Sequence, residues 1–163
     1  MPALRPDLGN DLSALRREAI RVLLQRAGED PNLAEPAFEV FFEARQKVNF
    51  YEDAIPALDF LKSKYPMVAL SNGNADIHKV GLGNYFVAAF NPISLGVGKP
   101  DPKMFHAGAE ALGVLPEEVL HIGDDPHLDV LAAQRAGMQS VWINREEKKW
   151  THETHPAPFM DAS

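Results

Sequence analysis

Cysteine is absent from this 163-residue sequence, which excludes disulfides, thiolate metal sites and a cysteine nucleophile together. Its absence suits a cytoplasmic protein. Positive charge is also scarce: 16 lysines and arginines stand against 23 aspartates and glutamates, for a formal net charge of −7. No basic stripe interrupts that balance, so nucleic-acid binding through phosphate neutralisation is disfavoured. Long apolar runs are missing too. Segments such as Met67 to Leu70 fall far short of the roughly 20 residues of a membrane span, and Met1 to Asn10 has no apolar signal-peptide stretch. The expectation is a protein with no membrane partner. The 13 prolines and 11 glycines are scattered rather than periodic, which excludes collagen-like and low-complexity classes. What is present is globular: 45% of residues are hydrophobic, in a chain long enough for one domain burying about two thirds of its unfolded surface.

Periodicity then orders the chain. Leu12, Leu15, Ala19, Val22 and Leu23 recur at helical spacing between a capping Asn10 or Asp11 and a closing Gly28. Phe38, Phe41, Phe42 and Arg45 mark a second helix, with Pro36 tolerable only in its first turn, and the two predict an αα-hairpin. After Asn49 the pattern changes. Asp53 and Pro56 open a short helix, and Met67-Val68-Ala69-Leu70 is a buried strand halted at Ser71-Asn72-Gly73-Asn74. A helix is expected from about Ala75, a weak strand over Val87 to Phe90, and a helix opened by Asp101 and Pro102 and closed by Gly113. Val119 to Ile122 gives a strand stopped at Gly123-Asp124-Asp125, followed by a helix to Ala136 and a strand over Val141 to Ile143. Strands alternating with helices predict an α/β fold with a parallel sheet. The polar stretch from Arg145 reads as a loosely held tail, and His152 and His155 within it as solvated rather than metal-binding.

In such sheets ligands gather beyond the carboxyl ends of strands, and three polar loops fall there. A hydroxyl and an amide at Ser71 and Asn72 can bond phosphate oxygens, and the Lys99 ammonium can neutralise them. Asp124, Asp125 and Asp129 can hold Mg²⁺, an oxygen-seeking ion. Each has a plainer explanation: Ser71 to Asn74 as a turn, Lys99 as a solvated side chain, Asp125 as a helix cap. His127 reads as a helix-start surface residue, and the phenylalanine stripe as hairpin core.

The order of the three loops is more specific than any one of them. Ser71-Asn72-Gly73-Asn74, Gly98-Lys99-Pro100-Asp101-Pro102 and Gly123-Asp124-Asp125-Pro126-His127-Leu128-Asp129 resemble the second, third and fourth motifs of the haloacid dehalogenase (HAD) superfamily. The resemblance runs from about Asp11 to Arg145 and is close to the branch of small-molecule phosphatases with a helical cap inserted after the first strand. It implies a Rossmann-like parallel sheet with helices on both faces plus a partial helical cap. The implied domains are the cap hairpin over 1–50, the core over 51–145 and the tail over 146–163. It implies Mg²⁺-dependent hydrolysis of a small phosphorylated metabolite through an aspartyl-phosphate. Ser71 would bind the phosphoryl group with Asn72 beside it, Lys99 would balance its charge, and Asp124 would ligate Mg²⁺. Asp129 or Asp125 would assist at the metal or orient Lys99.

The superfamily's first motif is an apolar strand ending in Asp-x-Asp that supplies the nucleophile, and no such segment occurs here. Asp7 and Asp11 flank Leu8-Gly9-Asn10 with no strand before them. The implied fold therefore lacks its central first strand, between those ending at Leu70 and Ile122. The expectations are a truncated chain, impaired or inactive as written, with flanking strands that close on each other or receive a strand from another chain. Self-association would cover the exposed edges. The alternatives are a non-catalytic module on the same fold, and dehalogenase chemistry, which needs the same absent aspartate but no metal.

Overall fold

The computed structural model describes residues 11–151. Asp7, His152 and His155 lie outside them, as does most of the expected tail. Helix α1 (Leu12–Ala27) starts where the Asp11 carboxylate accepts from the Ala14 N–H and ends at Gly28, whose φ of 75° is left-handed. A 3₁₀ turn leads to α2 (Ala34–Gln46), with Pro36 in its first turn. Phe38 is buried in the hairpin, stacked on Phe42 at 5.7 Å and covered by the Arg17 guanidinium 3.8 Å from its ring. Arg16 covers the more exposed Phe41 at 4.8 Å.

The core follows as α3 (Ala54–Lys62), β1 (Val68–Leu70), β2 (Ala88–Phe90), short α4 (Pro92–Leu95), α5 (Pro102–Leu112) and β3 (Leu120–Gly123). A π-helical turn (Pro126–Leu131) then runs into α6 (Ala132–Arg135) and β4 (Gln139–Trp142). Where a helix was expected from Ala75, the chain makes only turns. The Asp76 carboxylate accepts from the N–H groups of His78 and Lys79 and caps a single turn, which Gly81 ends with φ 86°. The start of the expected tail is tied down. Arg145 donates to both Asp53 oxygens at 2.8 Å and covers Tyr51, and the Trp150 ring meets Trp142 edge-on.

Parallel pairing is present, in two separate pieces. β1 pairs with β2 (Val68 opposite Ala88, Leu70 opposite Phe90), and β3 pairs with β4 (Leu120 opposite Gln139, Gly123 opposite Trp142). The break falls between β1 and β3, where the resemblance leads one to expect a further strand. These two strands do not close on each other: among the described residues each pairs with one neighbour only. Leu120 and Ile122, on the face of β3 opposite to His121, remain 51% and 41% exposed, while His121 between them turns inward.

Helix α5 spans the break. It packs on β1, β2 and α6, and its buried Met104, Phe105, Gly108 and Ala109 share one face. Alanines 132, 133 and 136 let α6 approach closely, and Leu70 and Val119, one from each side of the break, pack against the same cluster. No described helix is long and apolar enough to cross a membrane. Phe105 is fully buried and meets the His121 ring edge-on at 5.1 Å. Phe105→Ala is therefore expected to lower stability by about 3–5 kcal/mol, read as a reduced denaturant midpoint, whereas the exposed Phe60→Ala should change it by less than about 0.5 kcal/mol.

Candidate active site

Ser71 leaves β1 with its N–H donating to the Phe90 carbonyl at 3.0 Å, one step past the ladder. Its exposed Oγ accepts from the Gly73 N–H at 3.0 Å, and the hydroxyl proton remains available to a ligand. The Asn72 amide is committed elsewhere. Its Nδ2 donates to the Lys99 carbonyl and its Oδ1 accepts from the Lys99 N–H, both at 2.7 Å. A Cβ at Gly98 would stand 2.7 Å from Asn72 Oδ1, so only glycine admits this clamp. Asn72 is thus a positioning residue for Lys99.

Held by its backbone, Lys99 sends Nζ to Asp129 Oδ1 at 2.5 Å. His121 Nε2 lies 3.1 Å from the same oxygen, and the Asp125 N–H donates to Oδ2 at 3.2 Å. The π turn makes this possible: the N–H groups of Asp129 and Val130 both reach the Asp125 carbonyl, and the wider turn places the Asp129 carboxylate beneath the end of β3. Gly123 leaves the necessary room, since a Cβ there would sit 2.4 Å from Asp129. Burial acts to raise the Asp129 pKa. The bonds from His121 and Lys99, the Lys99 charge and the Asp125 N–H outweigh it and hold the carboxyl down at about 2.

The three carboxylates of the acidic loop do not converge as one ligand set. Asp125 caps the π turn through the His127 and Leu128 N–H groups, both at 2.8 Å, and Asp129 belongs to Lys99 and His121. No group of three potential ligands is present among the described residues. Asp124 differs from its neighbours. Its backbone carbonyl accepts from Trp142 Nε1 at 3.0 Å, its side chain is exposed, and no hydrogen bond reaches its carboxylate among the described residues. Mg²⁺ needs only one or two carboxylates, with waters and phosphate oxygens completing its shell, and Asp124 fits that limited demand.

The structure thus joins Asn72, Lys99 and Asp129 in one hydrogen-bonded series, with Ser71 preceding Asn72 at the end of β1 and Asp124 on the loop after β3. A family model for haloacid dehalogenase-like hydrolases matches residues 5–137. The chain belongs to this family. Among the relatives of this haloacid dehalogenase-like hydrolase is the phosphoserine phosphatase of Thermus thermophilus, 33% identical over 136 residues, covering 80% of this chain and 55% of the relative. The 5-amino-6-(5-phospho-D-ribitylamino)uracil phosphatase of Escherichia coli is 34% identical over 145 residues, covering 86% and 61%. The chain therefore spans a little over half the length of these relatives. In structure it is similar to a 2-haloacid dehalogenase from Pseudomonas syringae pv. Tomato DC3000, with TM-score 0.85, 35% identity, and coverage of 93% of this chain and 68% of that one.

His121 carries part of the site without having been singled out in the sequence. The available signal was its parity with Val119, which puts it on the inward side of β3. The Lys99–Asp129 pair also sets a pH dependence. A carboxyl held at about 2, below its ordinary 3.8, contributes stability that is complete above pH ~4 and is lost as pH falls through about 2. Urea unfolding should show the wild type losing about 2 kcal/mol more than Asp129→Asn between pH 6 and pH 2. At pH 7 the variant should be about 3–5 kcal/mol less stable, because Lys99 is left buried without its partner.

Proposed function

We propose that this chain provides the phosphate-binding and metal-binding part of a Mg²⁺-dependent phosphomonoester hydrolase for a small phosphorylated metabolite. The observation that carries the proposal is the join between separate loops: the Asn72 amide grips the Lys99 backbone, and Asp129 fixes its ammonium. Relatives named as phosphatases favour phosphoryl chemistry, and the unbonded Asp124 carboxylate favours a metal.

Ser71 donates its hydroxyl to a phosphoryl oxygen, and Lys99 sets a point charge against the same group. Asp129 and Asn72 act through Lys99, one fixing the ammonium and the other the backbone that carries it. Preorganised charge of this kind stabilises the negative oxygens as they develop without reorganisation during the step. When bound at Asp124, Mg²⁺ supplies a second neutralising charge. No strand ending in Asp-x-Asp occurs in the sequence, and no residue assigned here attacks phosphorus. The chain alone is accordingly proposed to bind Mg²⁺ and phosphate while turning over little or no substrate. Open edges at β1 and β3 favour self-association. A concentration-dependent dimer in sedimentation velocity supports it, and a monomer at all concentrations removes it.

Calorimetry tests the two assignments separately. Lys99→Met should weaken vanadate binding roughly 10- to 100-fold, the loss of one charge-assisted contact, and Asp124→Asn should weaken Mg²⁺ binding with vanadate affinity in metal-free buffer preserved. Unchanged affinities would remove both residues from the site. Mg²⁺-dependent phosphate release from p-nitrophenyl phosphate, abolished by Lys99→Met, would show a complete active site and overturn the proposed impairment. Metal-independent chloride release from 2-chloropropionate would instead assign dehalogenase chemistry.

A further inference from the structure

Several cations on or against the hairpin are paired with glutamates. Arg17 meets Glu35 and Glu39, Arg21 meets Glu18, and Lys79 from the core meets Glu43. Arg16 on α1 and Arg45 on α2 reach the core by another route. Among the described residues neither forms an ion pair, although the chain carries a net charge of −7 and acidic side chains are plentiful. Both instead converge on one neutral acceptor. Arg45 Nε donates to Asn74 Oδ1 at 2.8 Å and Arg16 Nη1 to the same oxygen at 3.2 Å, while Asn74 Nδ2 donates to Ser13 Oγ at 3.1 Å.

Two guanidiniums drawn to one amide oxygen repel each other, and only part of their donor capacity is used. Because Arg45 is anchored through Nε, its two terminal nitrogens remain directed elsewhere. Nη2 lies 3.3 Å from the point where a Cβ of Gly73 would stand, and Ser71 Oγ lies 3.2 Å from that same point. The glycine therefore leaves a small gap between the hydroxyl assigned to phosphate and a guanidinium fork. Both groups are at the surface and open to a solute.

We propose that Arg45 and Arg16, oriented by Asn74, form a clamp for a carboxylate carried by the phosphorylated substrate, selecting phosphomonoesters of small hydroxy acids over neutral ones. The inference rests on the proposed phosphate role of Ser71 and adds the chemical class of substrate. A guanidinium matches a carboxylate through two parallel hydrogen bonds. The juxtaposition limits the ligand to a few bonds between its phosphoryl group and its carboxylate.

The probes are 2-phosphoglycolate and ethyl phosphate, which share the ester and differ in the carboxylate, titrated calorimetrically into the full chain with Mg²⁺ present. The wild type should bind phosphoglycolate roughly tenfold or more tightly than ethyl phosphate. Arg45→Gln and Asn74→Ala should each bring that ratio close to one, with fold checked by circular dichroism. Equal weakening of both ligands, or an unchanged ratio, would make the arginines mere bolts between hairpin and core and overturn the clamp. Absence of any phosphate-ester binding by the wild type would overturn the phosphate role of Ser71, and the clamp with it. A wild type that binds both esters equally would overturn the clamp alone.

Discussion

A lysine and an aspartate, both nearly removed from water, hold together the ends of strands that do not otherwise touch. Lys99 reaches from the β2 side of the molecule and Asp129 from the β3 side, and their contact at 2.5 Å joins two sheets that share no ladder. Burying such charges is unfavourable unless each keeps partners. The molecule provides them: the Asn72 amide fixes the Lys99 backbone, and His121 and the Asp125 N–H take the remaining Asp129 positions. Gly98 and Gly123 are the spaces in which these bonds are made, and a methyl group at either would collide with a member of the series.

Beneath that polar series lies the apolar contribution of α5 and α6. Two-stranded sheets are marginal by themselves; here β1–β2 leans on α5 and β3–β4 on the π turn and α6, which α5 packs against in turn. Phe105 and Ala109 press against the alanines of α6, while Leu70 and Val119 reach the same cluster from opposite sides of the break. Polar closure above and apolar closure below are therefore complementary: one sets the angle between strand ends, the other removes their common underside from water.

Much of this was legible in the letters because it is local. Asp11, Gly28, Asp101 and Gly113 mark helix ends through short-range bonds and left-handed backbone, and they do so in the structure. The succession Ser71, Lys99, Asp124 was legible because each follows a strand or opens a helix. What escaped is what local pattern does not encode. The expected helix at Ala75 yields to the Asp76 side chain, which competes for the same N–H groups that a helix would use. The π turn leaves no trace in a 3.6-residue periodicity, yet it decides where Asp129 points. The Asp125 cap was readable from its place at a helix start, whereas a run of acids does not say which of them Lys99 takes as partner. Asn74 collects Arg16 and Arg45 across 58 and 29 residues of chain, a separation that no spacing rule bridges.

The segment from Ser71 to Lys79 is fastened on two sides. Asn74, Asp76 and Lys79 bond to Arg45, Gln46 and Glu43 of α2, and Asn72 bonds to the Lys99 backbone. The turn that carries Ser71 is therefore shared property of hairpin and lysine loop: any displacement of α2 relative to the core would strain the bonds at Asn74 and Asp76 and pull on the residues next to the serine.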